Sequence, residues 1–162
     1  MGMILGGMAL DLLNWMMNFN YSVNKSSLYQ VKSHLYECNY DFIPILSSYI
    51  DIDSYSEKLT QKATRVEVFE GNRLIGLIAV YIIEEKSLCY ISNVSIIAVF
   101  TGGGLATILF NKTLQLLRLY NVKYIQLQVD LSNINAIAFY QKMGFKSQIT
   151  NENKLLMILY LT

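Results

Sequence analysis

The stretch VSIIAVFTGGGLATILFNK, Val94 to Lys112, determines how the rest of the chain is interpreted. It starts as an apolar run rich in β-branched residues, breaks at consecutive glycines, and resumes as a helix whose polar residues recur every three or four positions. A strand, a glycine turn and a helix N-terminus leave several backbone N–H groups free at the positive end of the helix dipole. This pattern favours an anion site suited to a phosphate or pyrophosphate.

Two phosphate-binding patterns do not fit the glycine run. A P-loop needs Lys and then Ser or Thr after the glycines, and no such pair follows here. A dinucleotide fingerprint needs a third glycine three residues after Gly104, where Thr107 stands. A plain strand-to-helix turn, with glycines for tight packing, stays open as the structural alternative.

The composition indicates a single globular domain without a nucleic-acid-binding surface. The chain has 162 residues, 53% hydrophobic and 15% charged, with a formal net charge of +1. Cys38 and Cys89 are far apart, which indicates reduced thiols in a cytoplasmic protein. Neither has a second cysteine at metal-ligand spacing, so we expect no metal site. The only histidine, His34, is interpreted as a packing or surface residue rather than a catalyst.

The first 17 residues differ from the rest of the chain. They are apolar, contain no Lys or Arg and hold Asp11 in their middle, so they fit neither a secretory signal nor a membrane span. We expect a hydrophobic extension of open role over residues 1–17 and one domain over residues 18–162. The run Leu155–Thr162 is apolar on both sides of a strand, and with the extension it predicts a homodimer or an extension packed on that part of the sheet.

Hydrophobic periodicity predicts alternating helices and strands over the domain. The predicted strands are Tyr21–Val23, Arg65–Glu70, Leu74–Ile83, Leu88–Ala98, Lys123–Asp130, Phe145–Ile149 and Leu155–Leu161. The predicted helices run from a Ser26 or Ser27 cap to Cys38, from an Asp53 or Ser54 cap to Ala63, after the glycine run, and from a Ser132 or Asn133 cap to Gly144. The segment Asp41–Tyr49, which holds the only proline, is either a buried connection or a wall of a substrate site.

A second motif follows the glycine run in the order that one family shows. The residues Asn133-x-x-Ala136-Ile137-x-Phe139-Tyr140-x-x-x-Gly144-Phe145 resemble the second acetyl-CoA signature of the GNAT N-acetyltransferases. Gly104-x-Ala106 resembles the end of that family's pyrophosphate loop, although Thr101 replaces the usual Gln or Arg and Ala98 a frequent proline. The resemblance covers the chain from about Asn20 onward. It implies a three-layer α/β sandwich around a mixed, mostly antiparallel sheet.

The resemblance also implies a chemistry, namely transfer of an acetyl group from acetyl-CoA to a primary amine of a small molecule in a ternary complex. One strand end would pair with the pantetheine arm, the glycine loop would hold the pyrophosphate, and Tyr140 would protonate the departing sulfur. The implied cofactor-binding residues are Ile96, Ile97, Ala98, Gly102, Gly103, Gly104, Leu105, Ala106, Thr107, Asn133 and Tyr140. A core aromatic residue is the alternative role for Tyr140.

The general base and the acceptor are less well specified. Many members of the family that the chain resembles place a carboxylate around Tyr90–Ser92, where this chain has no acid. Glu67, on the predicted strand Arg65–Glu70, is then the best nearby carboxylate for the general base, with a solvated strand residue or a water relay through Ser92 or Asn93 as alternatives. The expected acceptor-site residues are Ser47, Tyr90, Ser92 and Asn93. The segment Asp41–Ala63 resembles family members of bacterial surface-polysaccharide pathways, which acetylate a nucleotide-linked amino sugar. A peptide N-terminal amine as acceptor, and a degenerate domain that binds acyl-CoA as a regulatory or assembly module, are the alternatives.

Overall fold

The computed structural model describes residues 18–162, and the extension expected over residues 1–17 lies outside them. The strands of the described residues are β1 Phe19–Val23, β2 Thr64–Glu70, β3 Arg73–Ile83, β4 Leu88–Ile96, β5 Tyr124–Asp130, β6 Lys146–Asn151 and β7 Lys154–Tyr160. The α-helices are α1 Leu28–Cys38, α2 Ile52–Lys62, α3 Leu105–Leu119 and α4 Ile134–Lys142. No helix in this part of the chain is long and apolar enough to cross a membrane.

The strands form one sheet in the order β1-β2-β3-β4-β5-β7-β6. Every neighbouring pair is antiparallel except β4 and β5, which run parallel. This confirms the expected mixed, mostly antiparallel sheet. The parallel ladder is short, because it joins only Leu88–Tyr90 to Tyr124–Gln126 and the two strands separate beyond it.

Two apolar cores pack on opposite faces of the sheet and make the three layers that were expected. One core lies beneath α3 and α4 and extends across the sheet from β1 to β7. The other lies beneath α1 and α2 and stays within the first half of the chain, against β2 and β3. Strand β3 is buried along most of its length because it has a core on each side, which explains its continuous apolar sequence.

Side-chain caps define the helix starts. A capping box between Ser27 and Gln30 starts α1. The N-cap of α2 is Asp51 rather than the expected Asp53 or Ser54, since its carboxylate accepts from the Ser54 N–H at 2.8 Å. The end of β4 also differs, because residues 98–100 form a 3₁₀ turn in which Phe100 N–H donates to the Ile97 carbonyl oxygen.

Candidate active site

The separation of β4 from β5 opens a cleft of about 310 Å³ through the sheet. We call it the central cleft. Residues of both strands, of β7, of α4 with its N-cap and of the α1–α2 connection line it: Asp41, Phe42, Ile43, Tyr49, Ser92, Asn93, Val94, Gln128, Val129, Asp130, Asn133, Ala136, Tyr140 and Lys154. The connection Asp41–Tyr49 is therefore a wall of the cleft, one of the two roles that its sequence suggested.

Two further cavities adjoin the central cleft, and Phe42 lines all three. A groove of about 250 Å³ runs along the end of β4, from Val94 past Ile96 to Thr101. A chamber of about 450 Å³, here called the tyrosine chamber, lies on the α2 side. Its lining residues are Phe42, Leu46, Tyr49, Ile50, Tyr55, Lys58, Tyr90, Ser92, Asn93, Gln128 and Lys154. The groove shares Asp41 and Val94 with the cleft, and the cleft shares Ser92 and Asn93 with the chamber, so the three cavities follow one another along β4.

A β-bulge places Ser92 at the junction of the cleft and the chamber. The register between β3 and β4 passes from Ala79–Asn93 to Val80–Ile91, so Ser92 is the extra residue on β4. The Tyr55 hydroxyl donates to the Ser92 carbonyl oxygen at 3.0 Å and lies 2.9 Å from its hydroxyl. Burial raises the pKa of Tyr55 to about 12, so its phenol stays protonated near neutral pH.

The glycine loop has the geometry of an anion site. Gly102 and Gly104 adopt φ angles of 85° and 81°, and a Cβ built at either position meets no protein atom within 4 Å. Gly104 is the N-cap of α3 and has no side chain to accept from the first turn. The first backbone bond of the helix runs from Ile108 N–H to the Gly104 carbonyl oxygen, so the N–H groups of residues 105–107 have no acceptor within the helix.

The end of β4 is less available to a ligand than expected. The Ile97 N–H donates to the Ile75 carbonyl oxygen at 2.9 Å, and the Ile97 carbonyl accepts from Phe100. The Ala98 carbonyl accepts from both the N–H and the hydroxyl of Thr101. The role assigned to the Ile97 backbone is therefore corrected, because the chain itself uses both of its polar groups. The β4 edge that lacks a β5 partner lies earlier, over residues 91–96.

Tyr140 lies on α4 and lines the central cleft. Its ring makes edge contacts with Phe139 and Phe145 at centroid distances of 5.5 and 5.6 Å. Burial raises the pKa of Tyr140 to about 12, and no described residue hydrogen bonds to its hydroxyl. The ring thus packs as the core alternative requires, while the hydroxyl remains a protonated donor. Asn133, its partner in the motif, lines the cleft and caps α4 by accepting from Ala136 N–H at 3.2 Å.

A buried chain of hydrogen bonds fixes Asn93 in the cleft. The Ser95 hydroxyl lies 2.7 Å from Asn93 Oδ1 and 2.8 Å from His34 Nε2. His34 Nδ1 lies 3.0 Å from the Leu74 carbonyl oxygen. Burial lowers the pKa of His34 from 6.5 to about 4, so the imidazole is neutral near pH 7. His34 is thus a packing residue, as expected, but one that is linked to the cleft.

Glu67 is not placed to act as the general base. Its side chain is fully buried and pairs with the Arg65 guanidinium at 3.0 Å. It also accepts from the N–H groups of Lys25 and Ser26 and from the Ser26 hydroxyl. Because these donors occupy the carboxylate away from the cleft lining, we correct its assignment to a structural partner of Arg65.

The structure gathers some of the expected site residues and leaves others apart. Ser92, Asn93, Asn133 and Tyr140 meet at the central cleft, and Tyr90 lines the tyrosine chamber. Ser47 is exposed in a 3₁₀ turn, where its N–H donates to Asn39 Oδ1, and it lines none of the three cavities. Sequence reasoning missed several cavity residues, namely Tyr55, Lys58, Gln128, Asp130 and Lys154.

The two carboxylates that line the central cleft are Asp41 and Asp130. Asp130 accepts from the hydroxyl and the N–H of Ser132 at 2.6 and 2.9 Å, and these bonds lower its pKa. Lys154 Nζ lies 3.7 Å from Asp130 Oδ2 and 5.6 Å from the centre of the Tyr49 ring. The end of β5 therefore brings an ionised carboxylate to the cleft, and only the position of Asp130 after an alternating strand could have signalled it.

Comparisons with known proteins agree with this geometry. A family model described as the acetyltransferase (GNAT) family matches residues 28–145. The uncharacterized protein YxbD of Bacillus subtilis (strain 168) is 39% identical over 77 residues, which span only about half of either protein, 48% of this chain and 46% of YxbD.

Solved structures share the fold at low identity. A PaiA N-acetyltransferase of Thermoplasma acidophilum in complex with coenzyme A superposes with a TM-score of 0.71 at 17% identity, over 88% of this chain and 99% of that one. The ribosomal-protein-S18-alanine N-acetyltransferase of Escherichia coli gives 0.69 at 14% identity, over 88% and 93%. The family match over most of the chain, joined to the split sheet and the glycine-capped helix, shows that this protein belongs to the GNAT family of acetyltransferases.

Proposed function

We propose that this protein transfers the acetyl group of acetyl-CoA to the primary amine of a small molecule, with both substrates bound together. One observation carries the proposal: the end of β4 that lacks a β5 partner lines a cleft with a protonated tyrosine and leads along the chain to a glycine-capped helix N-terminus. Acetyl-CoA supplies an activated acetyl thioester to such a site. The general activity follows from family membership, whereas the acceptor and the residue roles are the proposal.

The residues present fit the cosubstrate. The free N–H groups at residues 105–107 suit its pyrophosphate, and the open space at Gly102 and Gly104 lets an anion approach the backbone. The unpaired β4 edge over residues 91–96 suits an extended amide-bearing arm. The absence of Gln or Arg at Thr101 does not remove any of these backbone donors.

Side chains of the cleft then supply acid and orientation. The Tyr140 hydroxyl keeps its proton at neutral pH and can give it to a leaving thiolate. The ionised Asp130 attracts the cationic form of an amine, and Asn93, held by Ser95 and His34, offers a fixed polar group beside it. Because Glu67 does not line the cleft, water beside Ser92 and Asn93 is the proposed acceptor of the amine proton.

Two measurements on the purified full chain test the proposal. Acetyl-CoA at about a hundred times its Kd should stabilise the fold by about 2.7 kcal/mol in a thermal shift. Thiol release should then be screened with small-molecule amines, including amino sugars with and without a linked nucleotide, and with peptide N-termini. Stabilisation with no thiol release from any amine would contradict catalysis and favour a binding module. Release with peptides alone would contradict a small-molecule acceptor.

A further inference from the structure

We infer that the acceptor amine carries an anionic group, a carboxylate or a phosphate, and that Lys58 and Lys154 hold this group in the tyrosine chamber. The inference rests on the proposed function and specifies its substrate class. It starts from the lining of the chamber, which contains two lysines and no Asp or Glu. A positively charged cavity attracts an anionic group of the acceptor and repels any cationic group that the acceptor carries besides its reacting amine.

Lys58 is the lysine that is free to bind a ligand. It lies on α2 and is exposed, and no described carboxylate comes within ion-pair distance of it. Its Nζ stands 5.6 Å from the centre of the Tyr81 ring, whose hydroxyl is buried without a hydrogen-bond partner among the described residues. Lys154, unlike Lys58, already has a carboxylate partner, since Asp130 lies 3.7 Å away on the side of the central cleft.

Lys154 lines both the cleft and the chamber, but the other charges are separated along the cavity. The carboxylates Asp41 and Asp130 line the central cleft and are absent from the chamber lining. Lys58 lines the chamber and is absent from the lining of the cleft. A molecule with an ammonium group at one end and an anion at the other matches this order, because its amine would face Asp130 while its anion faces Lys58.

The size and the walls of the chamber also suit a small molecule. Its volume of about 450 Å³ lies within the range of about 300–1,000 Å³ that is typical of small-ligand pockets. Tyr49, Tyr55 and Tyr90 provide aromatic surface and hydroxyls. A compact amino acid or an amino-sugar phosphate fits into such a space, and either source presents an anion to Lys58.

Paired amines test the inference. Initial rates of thiol release are measured with acetyl-CoA and each of two sets. The carboxylate set compares glycine, β-alanine and 4-aminobutanoate with their amides, and the phosphate set compares glucosamine 6-phosphate with glucosamine. We expect at least one anionic member to exceed its neutral partner by about tenfold or more in kcat/KM, the effect of one charge-assisted contact. The set in which this occurs identifies the anion.

Matched lysine variants assign the effect to the chamber. Lys58→Gln should abolish most of the preference for the anionic member, mainly through KM, while Lys62→Gln on the same helix, exposed and outside the cavity linings, should keep it. Equal or better use of the neutral members, or an unchanged preference in Lys58→Gln, overturns the inference and leaves the proposed function standing. If neither set nor any amine of the wider screen gives thiol release, both the inference and the proposed function are overturned.

Discussion

The hydroxyl of Tyr55 reaches across to Ser92, donating to its carbonyl oxygen at 3.0 Å, and so ties helix α2 to the bulge of β4. Lys58 follows Tyr55 by three residues and therefore projects from the same side of the helix. One hydrogen bond thus sets the position of both a wall and a charge of the tyrosine chamber.

Removing the Tyr55 hydroxyl should weaken binding of the acceptor amine more than binding of acetyl-CoA. We expect Tyr55→Phe to lower the free energy of unfolding by about 1 kcal/mol, the usual effect of one lost hydrogen bond. It should raise KM for the amine more than KM for acetyl-CoA, because the chamber lies on the α2 side of the cleft. The control is Tyr36→Phe, whose hydroxyl donates to the exposed Asp53. Equal changes in the two KM values would contradict the assignment of the chamber to the amine.

The glycine loop allows a matched test of cosubstrate binding. Gly104 and Gly71 both have positive φ angles, and a Cβ at either meets no protein atom within 4 Å. Alanine at each position should therefore cost about 1 kcal/mol of backbone strain. Only Gly104→Ala should also weaken acetyl-CoA binding, by about tenfold, since its methyl group enters the space assigned to a charged, hydrogen-bonded anion. Calorimetric titration that gives equal Kd values for both variants would rule out the loop assignment.

A substitution at Tyr140 distinguishes a catalytic role of its hydroxyl from a packing role of its ring. In Tyr140→Phe the contacts with Phe139 and Phe145 remain, so stability should change by less than about 1 kcal/mol and acetyl-CoA should bind nearly as before. Where chemistry limits turnover, kcat should fall by about 10²-fold, as for loss of a positioned general acid. Because the pKa of Tyr140 is about 12, deprotonation of this group should not lower the rate below pH 10. Full turnover in the Phe variant would remove Tyr140 from catalysis, and Tyr124→Phe, outside the cleft lining, is the control.

The only histidine should make stability depend on pH. The pKa of His34 is about 4 in the folded chain and about 6.5 when exposed, so the unfolded state binds more protons between these values. Stability is then fully present above pH 6.5 and falls as the pH drops towards 4. Between pH 7 and pH 5 the loss should be about 2 kcal/mol by urea unfolding. His34→Gln should lose this part of the pH dependence, and an unchanged slope would show that folding does not lower the pKa of His34.

The correction of Glu67 predicts a structural rather than a catalytic phenotype. Glu67→Gln leaves the Arg65 guanidinium without its charged partner inside the protein, which should cost about 3–5 kcal/mol. The kcat of the folded fraction should stay close to that of the unsubstituted protein, with the same pH profile. Glu70→Gln, on the exposed end of the same strand, should change neither the stability nor kcat. A pH-dependent loss of kcat in Glu67→Gln at retained stability would restore Glu67 as a base.

The sequence predicted what depends on local pattern. The order of helices and strands, the glycine turn, the Asn133 cap and the Gly144 end follow from periodicity and turn chemistry, and the structure confirms them. The Asp51 cap was missed because Asp51, Asp53 and Ser54 are all good N-cap residues, and only tertiary packing selects among them.

Contacts between residues far apart in the chain were harder to predict from the sequence. Alternation along β2 puts Glu67 on one face, but nothing local shows that Arg65 and the backbone N–H groups near Ser26 enclose it. The chamber brings α2, β4, β5 and β7 together, so its two lysines are 96 positions apart in sequence, from Lys58 to Lys154. The homodimer and the role of residues 1–17 stay predictions.

The short ladder between β4 and β5 leaves a gap in the sheet, here called the seam, where residues 91–96 of β4 have no β5 partner. The core beneath α3 and α4 crosses this seam, but the core beneath α1 and α2 does not reach it. A ligand lodged between the strands therefore supplies backbone pairing that the chain lacks, and part of its binding free energy becomes resistance to local opening. Amide hydrogen exchange over residues 91–96 should slow when a ligand occupies the seam, with little change in β1. We therefore expect the cleft proposed for the substrates to be also the part of the sheet whose protection from solvent depends on a bound ligand.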